Sequence, residues 1–182
     1  PAPGRTYRLE VTRGDGETTR AETTVPLFKD AEVGPAQPFG TGYTQTVVWE
    51  GIEFHPFAVE VWYRFASTPP GRFLDYVVLY PPGSIENGQL QVSVKLSDDY
   101  TKMLKDLNLQ QLSLMGIGMR LTDPDEAWRP PGGVFDREVL SQPGTFSNVE
   151  NGDGFFGASN RYTVEWTLTD QVTQSIGFLA PD

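Results

Sequence analysis

Apolar and polar side chains alternate at successive positions in several stretches of this chain. Two stretches show the alternation most clearly, 6–12 and 161–168, and in the second Tyr162, Val164 and Trp166 are separated by polar residues. Because successive side chains of a β-strand point to opposite faces of a sheet, a period of two predicts a strand with one buried face. Glycine and proline fall between these stretches, as turns do between short strands. We therefore predict an all-β fold of antiparallel strands, either a β-sandwich or a flattened barrel.

One stretch departs from this pattern and predicts a single short helix. Tyr100, Met103, Leu104 and Leu107 follow the i, i+3, i+4, i+7 spacing of one helical face. Ser97 precedes them and is a suitable N-cap residue. We expect this helix to lie across an open end or edge of the sandwich, where it would cover a strand edge.

Three other stretches carry specific structural expectations. Residues 73–80 are apolar on both faces apart from Asp75, so we expect a strand that is central in its sheet or covered on both sides. Asn87-Gly88 is the strongest hairpin signal in the chain. Residues 172–179 predict a final strand.

Proline and glycine also predict the domain organisation. Residues 1–28 read as an N-terminal β-hairpin, and residues 29–43 form a Pro/Gly-rich stretch that we interpret as a linker. Residues 44–182 then form the main β-sandwich domain.

Charge and composition exclude several classes of protein. The formal net charge is −10, and no cluster of Lys and Arg is visible, which excludes nucleic acid as a partner. The acidity is typical either of a protein from a high-salt habitat or of an ordinary protein outside the cytoplasm. The chain has no cysteine, which excludes disulfides and thiolate metal sites, and no apolar stretch long enough for a transmembrane helix.

Few residues are suited to catalysis. His55 is the only histidine, and no Gly-x-Ser-x-Gly motif is present, so neither a serine triad nor a multi-histidine metal site is expected. Glycoside hydrolysis requires only two carboxylates. Three groups of acidic residues offer them: Asp98 with Asp99, Asp123 with Asp125 and Glu126, and Glu150 with Asp153. Helix termini and turns explain the same residues, so we expect no enzyme and keep a glycan hydrolase as the alternative.

One loop has the composition of a cation site. Asn148, Glu150, Asn151 and Asp153 carry side-chain oxygens at near-alternate positions around glycines, as hard-cation loops do. The spacing does not match an EF-hand. A hairpin turn is the favoured interpretation, and Ca²⁺ binding stays open as the other; we expect no further cofactor.

Aromatic side chains in loops are candidates for ligand binding. Trp128 and Arg129 lie in a loop rich in proline and glycine, where a rigid indole can stack on a sugar or a partner, or fold back over the core. Phe155 and Phe156 are adjacent, so in a strand they would point to opposite faces.

Two segments resemble a known family. The first runs from Gly4 to Pro26 and includes Gly4-Arg5-Thr6-Tyr7-Arg8-Leu9-Glu10-Val11; the second is Phe146-Ser147-Asn148-Val149-Glu150-Asn151-Gly152-Asp153-Gly154-Phe155-Phe156-Gly157-Ala158. Both are similar to parts of exported lipoproteins of Bacteroidetes-like bacteria, a family without an established activity. The first resembles the strand pair that ends the family's immunoglobulin-like half, so 1–28 would be the end of such a unit. The resemblance implies export, association with the outer membrane and an upstream lipid anchor, and it supplies no catalytic residues.

Together these observations favour a non-enzymatic, extracytoplasmic binding or accessory domain. Its expected partners are a carbohydrate, a peptide or an outer-membrane protein. A purely structural module is a further alternative to the hydrolase.

Overall fold

A computed structural model describes residues 1–53, 55–67, 72–126 and 147–179 of the chain. Most of the secondary structure in these residues is β, in several antiparallel sheets, which confirms the predicted all-β class. The strands are β1 (Thr6–Thr12), β2 (Thr18–Thr24), β3 (Ala31–Val33), β4 (Gln37–Phe39), β5 (Gly42–Glu50), β6 (Ala58–Ser67), β7 (Arg72–Tyr80), β8 (Ile85–Glu86), β9 (Gln89–Val94), β10 (Ser113–Pro124), β11 (Val149–Glu150) and β12 (Ser159–Trp166). The helices are α1 (Leu96–Leu107) and α2 (Asp170–Ile176).

The chain divides into two compact units, neither of which is continuous in sequence. The smaller unit comprises residues 1–28 and 122–160, and the larger unit comprises residues 29–121 and 161–182. Residues 29–43, interpreted as a linker, carry β3 and β4, and both strands pair with β5.

In the larger unit, two sheets enclose a shared apolar core. One has the strand order β12-β10-β6-β7; the other has the order β3-β5-β9-β8, with β4 also paired to β5. Inward side chains of the two sheets meet at Trp49 of β5. Its indole N–H lies 3.3 Å from the sulfur of Met119 on β10, and its ring centroid lies 6.2 Å from that of Tyr162 on β12. Sheets packed in this way form a sandwich, and none of the described sheets closes into a barrel.

The helix predicted from residue 97 onward is present as α1. Leu96, Tyr100 and Met103 are buried on one side of it, against the core. Its start differs from the prediction, because Lys95 precedes the helix and provides no side-chain cap. Ser97 lies in the first turn, where its Oγ accepts a hydrogen bond from the backbone N–H of Tyr43 at 2.9 Å. The hydroxyl assigned to capping therefore holds the helix to β5.

The predicted strand over residues 172–179 is wrong in its first part, which forms the second helix, α2. The Thr169 hydroxyl accepts a hydrogen bond from the backbone N–H of Val172 at its start, and Gly177 ends it with a φ of 115°. These are a helix N-cap and a left-handed C-cap, and they outweigh the β propensity of the sequence between them. No helix in the described part of the chain combines the length and the apolar character needed to cross a membrane.

Among the described strands, the expectation for residues 73–80 is also wrong, because β7 lies at the end of their sheet. Among the described strands it pairs with β6 alone. Its inward residues Tyr76, Val78 and Tyr80 pack against the core, but much of its outward side remains exposed. The Asn87-Gly88 hairpin, in contrast, is confirmed: both residues have positive φ, and β8 pairs antiparallel with β9 across them.

The smaller unit contains a sheet with the strand order β1-β2-β11. The hairpin of β1 and β2 is confirmed, with Leu9 opposite Ala21 in register. All seven residues of β1 are nevertheless exposed, whereas the alternation predicted one buried face. On the polar face, cross-strand ion pairs join Arg8 to Glu22 at 2.8 Å and Arg20 to Glu10 at 3.1 Å.

Candidate functional site

The outward side of the four-stranded sheet holds a tryptophan in a cradle of glycines. Trp62 of β6 lies between Val61 and Tyr63, which face the core, so strand alternation directs its side chain to the outward face of the sheet. Trp62 is nevertheless only 4% exposed. Gly116 and Gly118 of β10 leave the space that its indole occupies. A β-carbon at Gly118 would lie 2.6 Å from ring atoms of Trp62, so no larger residue fits without a shift.

Two guanidinium groups lie near the Trp62 ring. The Cζ atoms of Arg64 and Arg120 are 5.5 and 5.8 Å from its centroid, distances at which cation–π attraction operates. Arg64 also donates two hydrogen bonds to Asp75 of β7, at 2.8 and 3.0 Å, and these lower the pKa of that carboxyl. Arg64 and Asp75 therefore form an ion pair without net charge beside the ring. The buried indole N–H of Trp62 has no acceptor among the described residues.

Beside this pair, β7 presents an apolar row to solvent. Phe73 is 60% exposed, Val77 42% and Leu79 72%. Register places Val77 directly opposite Trp62, and the three residues share the outward side of the sheet. We call this row, together with Trp62 and Arg64, the β7 surface. Val77 and Leu79 are adjacent on this side, and the ion pair of Asp75 with Arg64 separates them from Phe73. Exposed apolar residues scattered singly are ordinary, but adjacent ones on an edge strand indicate an interaction site.

A buried carboxylate occupies the inward side of the same strands. Asp99 of α1 is 5% exposed, and its Oδ2 accepts hydrogen bonds from the hydroxyls of Tyr63 and Tyr80, each at 2.6 Å. Burial raises the pKa of Asp99, and burial next to Asp99 raises the pKa of both tyrosines. The group joins α1 to β6 and β7. Its Oδ2 already has two donors, so this carboxyl serves packing.

The predicted aromatic candidates are only partly within the described structure. Trp128 and Arg129 lie outside the described residues. Phe155 and Phe156 are both half-buried in the loop that precedes β12. The side-chain amide of Asn148 donates to the carbonyl of Phe156 at 2.7 Å and accepts from its N–H at 2.8 Å. The structure thus brings Asn148 and Phe156 together as a loop closure.

The side chains predicted for a cation loop are placed in a hairpin-like turn. Asn151 has a φ of 56°, donates from its side chain to the carbonyl of Thr18 at 3.2 Å, and accepts at its carbonyl from the hydroxyl of Thr19. Glu150 stands opposite Arg20 in the β-ladder, and Asp153 is exposed. Within the described ranges, no three acidic or histidine side chains are grouped as metal ligands would be.

Two concave regions of the smaller unit are polar. One, of about 280 Å³, is lined by Glu22, Thr23, Thr24, Asp125 and Glu126. Asp125 is buried there and accepts hydrogen bonds from the Thr23 hydroxyl and from the backbone N–H of Ala158. The other region, of about 540 Å³, runs along the ion-paired face of β1 and β2, where the charges of Arg8 and Arg20 are already matched by glutamates.

Sequence reasoning missed the β7 surface. The doubly apolar pattern of 73–80 and the Gly116-x-Gly118 motif were its signals, and sequence reasoning could not combine them because the pairing of β10 with β6 is non-local. No family model, curated protein or solved structure matches the chain.

Proposed function

We propose that this chain is a non-catalytic binding module that takes an extended segment of a partner protein alongside β7. The observation that supports this most strongly is the β7 surface: a nine-residue strand that, among the described strands, has one neighbour, and whose outward side is largely apolar and exposed. An edge of this kind supplies a row of backbone donors and acceptors, and pockets between alternate side chains supply specificity.

The edge lacks the features that usually protect such strands from pairing. Natural edges are blocked by lysine, proline, a bulge or an inward charge. The interior of β7 contains no lysine and no proline, and its one outward charge, Asp75, is neutralised by Arg64. An edge strand that keeps apolar side chains exposed to solvent favours a role in recognition.

Charge indicates the chemistry of the partner. A chain with a net charge of −10 repels a second copy of itself and attracts a cationic segment. The preferred ligand is therefore an extended peptide in which β-branched or aromatic residues alternate with lysine or arginine. Carbohydrate is less suited to this surface than a peptide, because the edge offers backbone pairing and Trp62, the surface's indole, is buried.

The cellular setting is part of the same proposal. The resemblance to exported lipoproteins favours an accessory domain outside the cytoplasm, attached to the outer membrane through an upstream lipid anchor. Fractionation of cells that carry the full gene tests this placement, which fails if the chain remains with cytoplasmic proteins.

Selection from a library of random ten-residue peptides tests the binding function. We expect enriched peptides to alternate apolar and basic residues, and to bind the Leu79→Lys variant at least about tenfold more weakly than the wild type, since a charge would then block the edge. Leu109→Lys is the matched control, because it adds the same charge at an exposed apolar residue after α1.

Two outcomes would contradict the proposal. One is selection of no peptide, or equal binding by Leu79→Lys. The other is a dimer in sedimentation experiments that Leu79→Lys dissociates, which would assign the edge to a second copy of the chain.

A further inference from the structure

The β1 strand forms one end of the sheet of the smaller unit, and among the described strands its outer edge has no neighbour. It pairs with β2 alone, and all seven of its residues are exposed. Tyr7, Leu9 and Val11 share one face and are between 39% and 49% exposed. An open edge is a template for pairing with another strand, and β1 contains neither lysine nor proline to oppose such pairing.

The backbone groups on this open edge belong to the even-numbered residues of β1. The carbonyl of Arg5 accepts a hydrogen bond from the N–H of Val25 at 3.0 Å. At the other end of the strand, the N–H of Arg13 donates to the carbonyl of Glu17 at 2.8 Å. Because bonded and non-bonded pairs alternate along an antiparallel ladder, the odd-numbered residues of β1 are the ones that bond to β2. The residues whose N–H and C=O groups point away from β2 are Thr6, Arg8, Glu10 and Thr12.

The sequence of β1 is complementary to itself when a second copy runs antiparallel along this edge. With Leu9 opposite Leu9 of the second copy, Arg8 lies opposite Glu10 and Tyr7 lies opposite Val11. Unlike charges, and an aromatic beside a β-branched side chain, are favourable cross-strand pairs. This register also joins even-numbered residues to even-numbered residues, so the open N–H and C=O groups of the two strands meet.

Other registers of the same strand pair are unfavourable. A shift by one residue sets even-numbered against odd-numbered residues, which separates the open backbone groups and mixes the polar and apolar faces. The next registers that restore the backbone pairing place Arg8 opposite Arg8, or Glu10 opposite Glu10, of the second copy. Like charges directly opposite each other are destabilising. The charges of β1 therefore select the register centred on Leu9.

We propose that the β1 edge joins two copies of this chain as a reversible, twofold-symmetric dimer through an antiparallel β1–β1 pair centred on Leu9. Each copy presents the same strand to the other, as a twofold interface requires. Across the four strands of the combined sheet, the charges on the polar face alternate in sign, in the order Glu22, Arg8, then Glu10 and Arg20 of the second copy.

The charge and the size of the interface set the strength of this dimer. The net charge of −10 opposes the approach of two copies. In about 0.1 M salt, however, repulsion between charges more than about 10 Å apart is largely screened, whereas the charges of β1 are paired at contact. A single strand pair buries a small area, so the dimer is weak and forms at high protein concentration.

Two double variants test the charge pairing. One combines Arg8→Glu with Glu22→Arg, and the other combines Glu10→Arg with Arg20→Glu. Each keeps the net charge and the ion pairs within its own hairpin, but each places like charges opposite each other in its own dimer. In sedimentation equilibrium, we expect each variant alone to dimerise at least about tenfold more weakly than the wild type. A mixture of the two should recover the dimer, because every charge then meets an opposite one.

Disulfide trapping tests the register, since the wild-type chain contains no cysteine. Directly opposite residues of a non-bonded pair have Cα atoms about 4.5 Å apart, within the range of a disulfide. Leu9→Cys should therefore give a covalent dimer under mild oxidation. Val11→Cys is the matched control on the same face. Its two thiols would lie four residues apart along the paired strands, about 14 Å, so it should link at least about tenfold more slowly.

Three results would overturn the proposal. They are a wild type that stays monomeric at about 1 mM, double variants whose mixture dimerises no better than either one alone, and equal disulfide formation by Leu9→Cys and Val11→Cys. The first and third results do not depend on the folding of the double variants. Leu79→Lys should leave this dimer unchanged; its loss in that variant would assign the dimer to β7 and also overturn the proposal. Peptide binding at β7 can fail or succeed without changing any of these results.

Discussion

The indole of Trp62 fills the space that a side chain at Gly118 would occupy. A β-carbon built on Gly118 would lie 2.6 Å from Cε2 and Cζ2 of the ring, and also 2.6 Å from the backbone carbonyl oxygen of Val164. The first contact could be relieved by a movement of the ring, but the second involves the neighbouring strand. The packing of β6, β10 and β12 therefore depends on the absence of one methyl group.

We expect Gly118→Ala to lower the free energy of unfolding by about 3 kcal/mol, at the upper end of overpacking costs, because two contacts must be relieved at once. Gly116→Ala is the matched control. Its β-carbon would meet Trp62 at 3.5 Å and Arg64 at 3.9 Å, which is ordinary contact, so the change should stay within about 0.5 kcal/mol of the wild type. Urea unfolding curves measure both free energies. Equal effects at the two glycines would contradict the close packing of the Trp62 ring against Gly118.

The raised pKa of Asp99 predicts a pH dependence with a definite sign. Below its ordinary pKa of about 4, the carboxyl is protonated in the folded and the unfolded chain. As the pH rises through the raised pKa, the folded chain must bury a charge, and the stability contributed by protonated Asp99 is lost. We expect Asp99→Asn, which cannot ionise, to gain stability relative to the wild type between about pH 4 and pH 7.

Asp75 supplies a control of opposite sign for this experiment. Hydrogen bonding to Arg64 lowers its pKa, so its contribution is present above the ordinary pKa and is lost as the pH falls. Asp75→Asn should therefore lose stability relative to the wild type as the pH rises, by a small amount because the pair is half-exposed. If the free energies of unfolding of the wild type and Asp99→Asn change in parallel with pH, the raised pKa of the buried Asp99 carboxyl is contradicted.

Asn148 should matter more to the smaller unit than its neighbours in the same loop. Asn148→Ala removes both hydrogen bonds to the backbone of Phe156, and we expect a loss of about 1–3 kcal/mol. Hydrogen exchange at the Phe156 amide measures the effect directly. Asp153→Ala, in an exposed position of the same loop, should leave that exchange rate close to the wild type.

The same loop should be insensitive to calcium. The Oδ1 of Asn148 is bound to a backbone N–H, and the carbonyl of Asn151 accepts from Thr19, so these oxygens are already occupied. We expect thermal unfolding in excess CaCl₂ to coincide with unfolding in EDTA. A midpoint raised by calcium alone would instead support a cation site, since ligands that bind the folded state stabilise it.

Local periodicity was sufficient for the strands with one buried and one polar side. Tyr162, Val164 and Trp166 of β12 are buried or half-buried and the polar residues between them are exposed, as the alternation predicted, because a period of two directly encodes which side of a strand faces the core. The helix α1 was predictable for the corresponding reason, with a period near 3.6.

Periodicity could not distinguish the two environments of β7. A strand apolar on both sides has the same sequence pattern whether it is central in a sheet or exposed at its end, and only non-local pairing decides between them. For α2, Thr169 and Gly177 are suited to the two ends of a helix, but Val172, Thr173 and Ile176 between them favour a strand.

The β7 surface was beyond sequence reasoning. It depends on side chains from strands that are distant in sequence, such as Trp62 of β6 with Gly118 of β10. The loop residues chosen from composition were correctly found in turns, but hydrogen bonds to backbone groups use Asn148 and Asn151 for structure.

The discontinuous path of the chain has a consequence for its synthesis. The β1–β2 hairpin leaves the ribosome well before its other neighbour, β11, because residues 149–150 are translated only after residues 29–121 of the larger unit. Until then, the ion pairs of Arg8 with Glu22 and of Arg20 with Glu10 keep one side of the hairpin hydrated. Newly made chains must therefore carry an incomplete β1–β2–β11 sheet while the residues between β2 and β11 are translated, and chaperones and proteases can act on it during that interval.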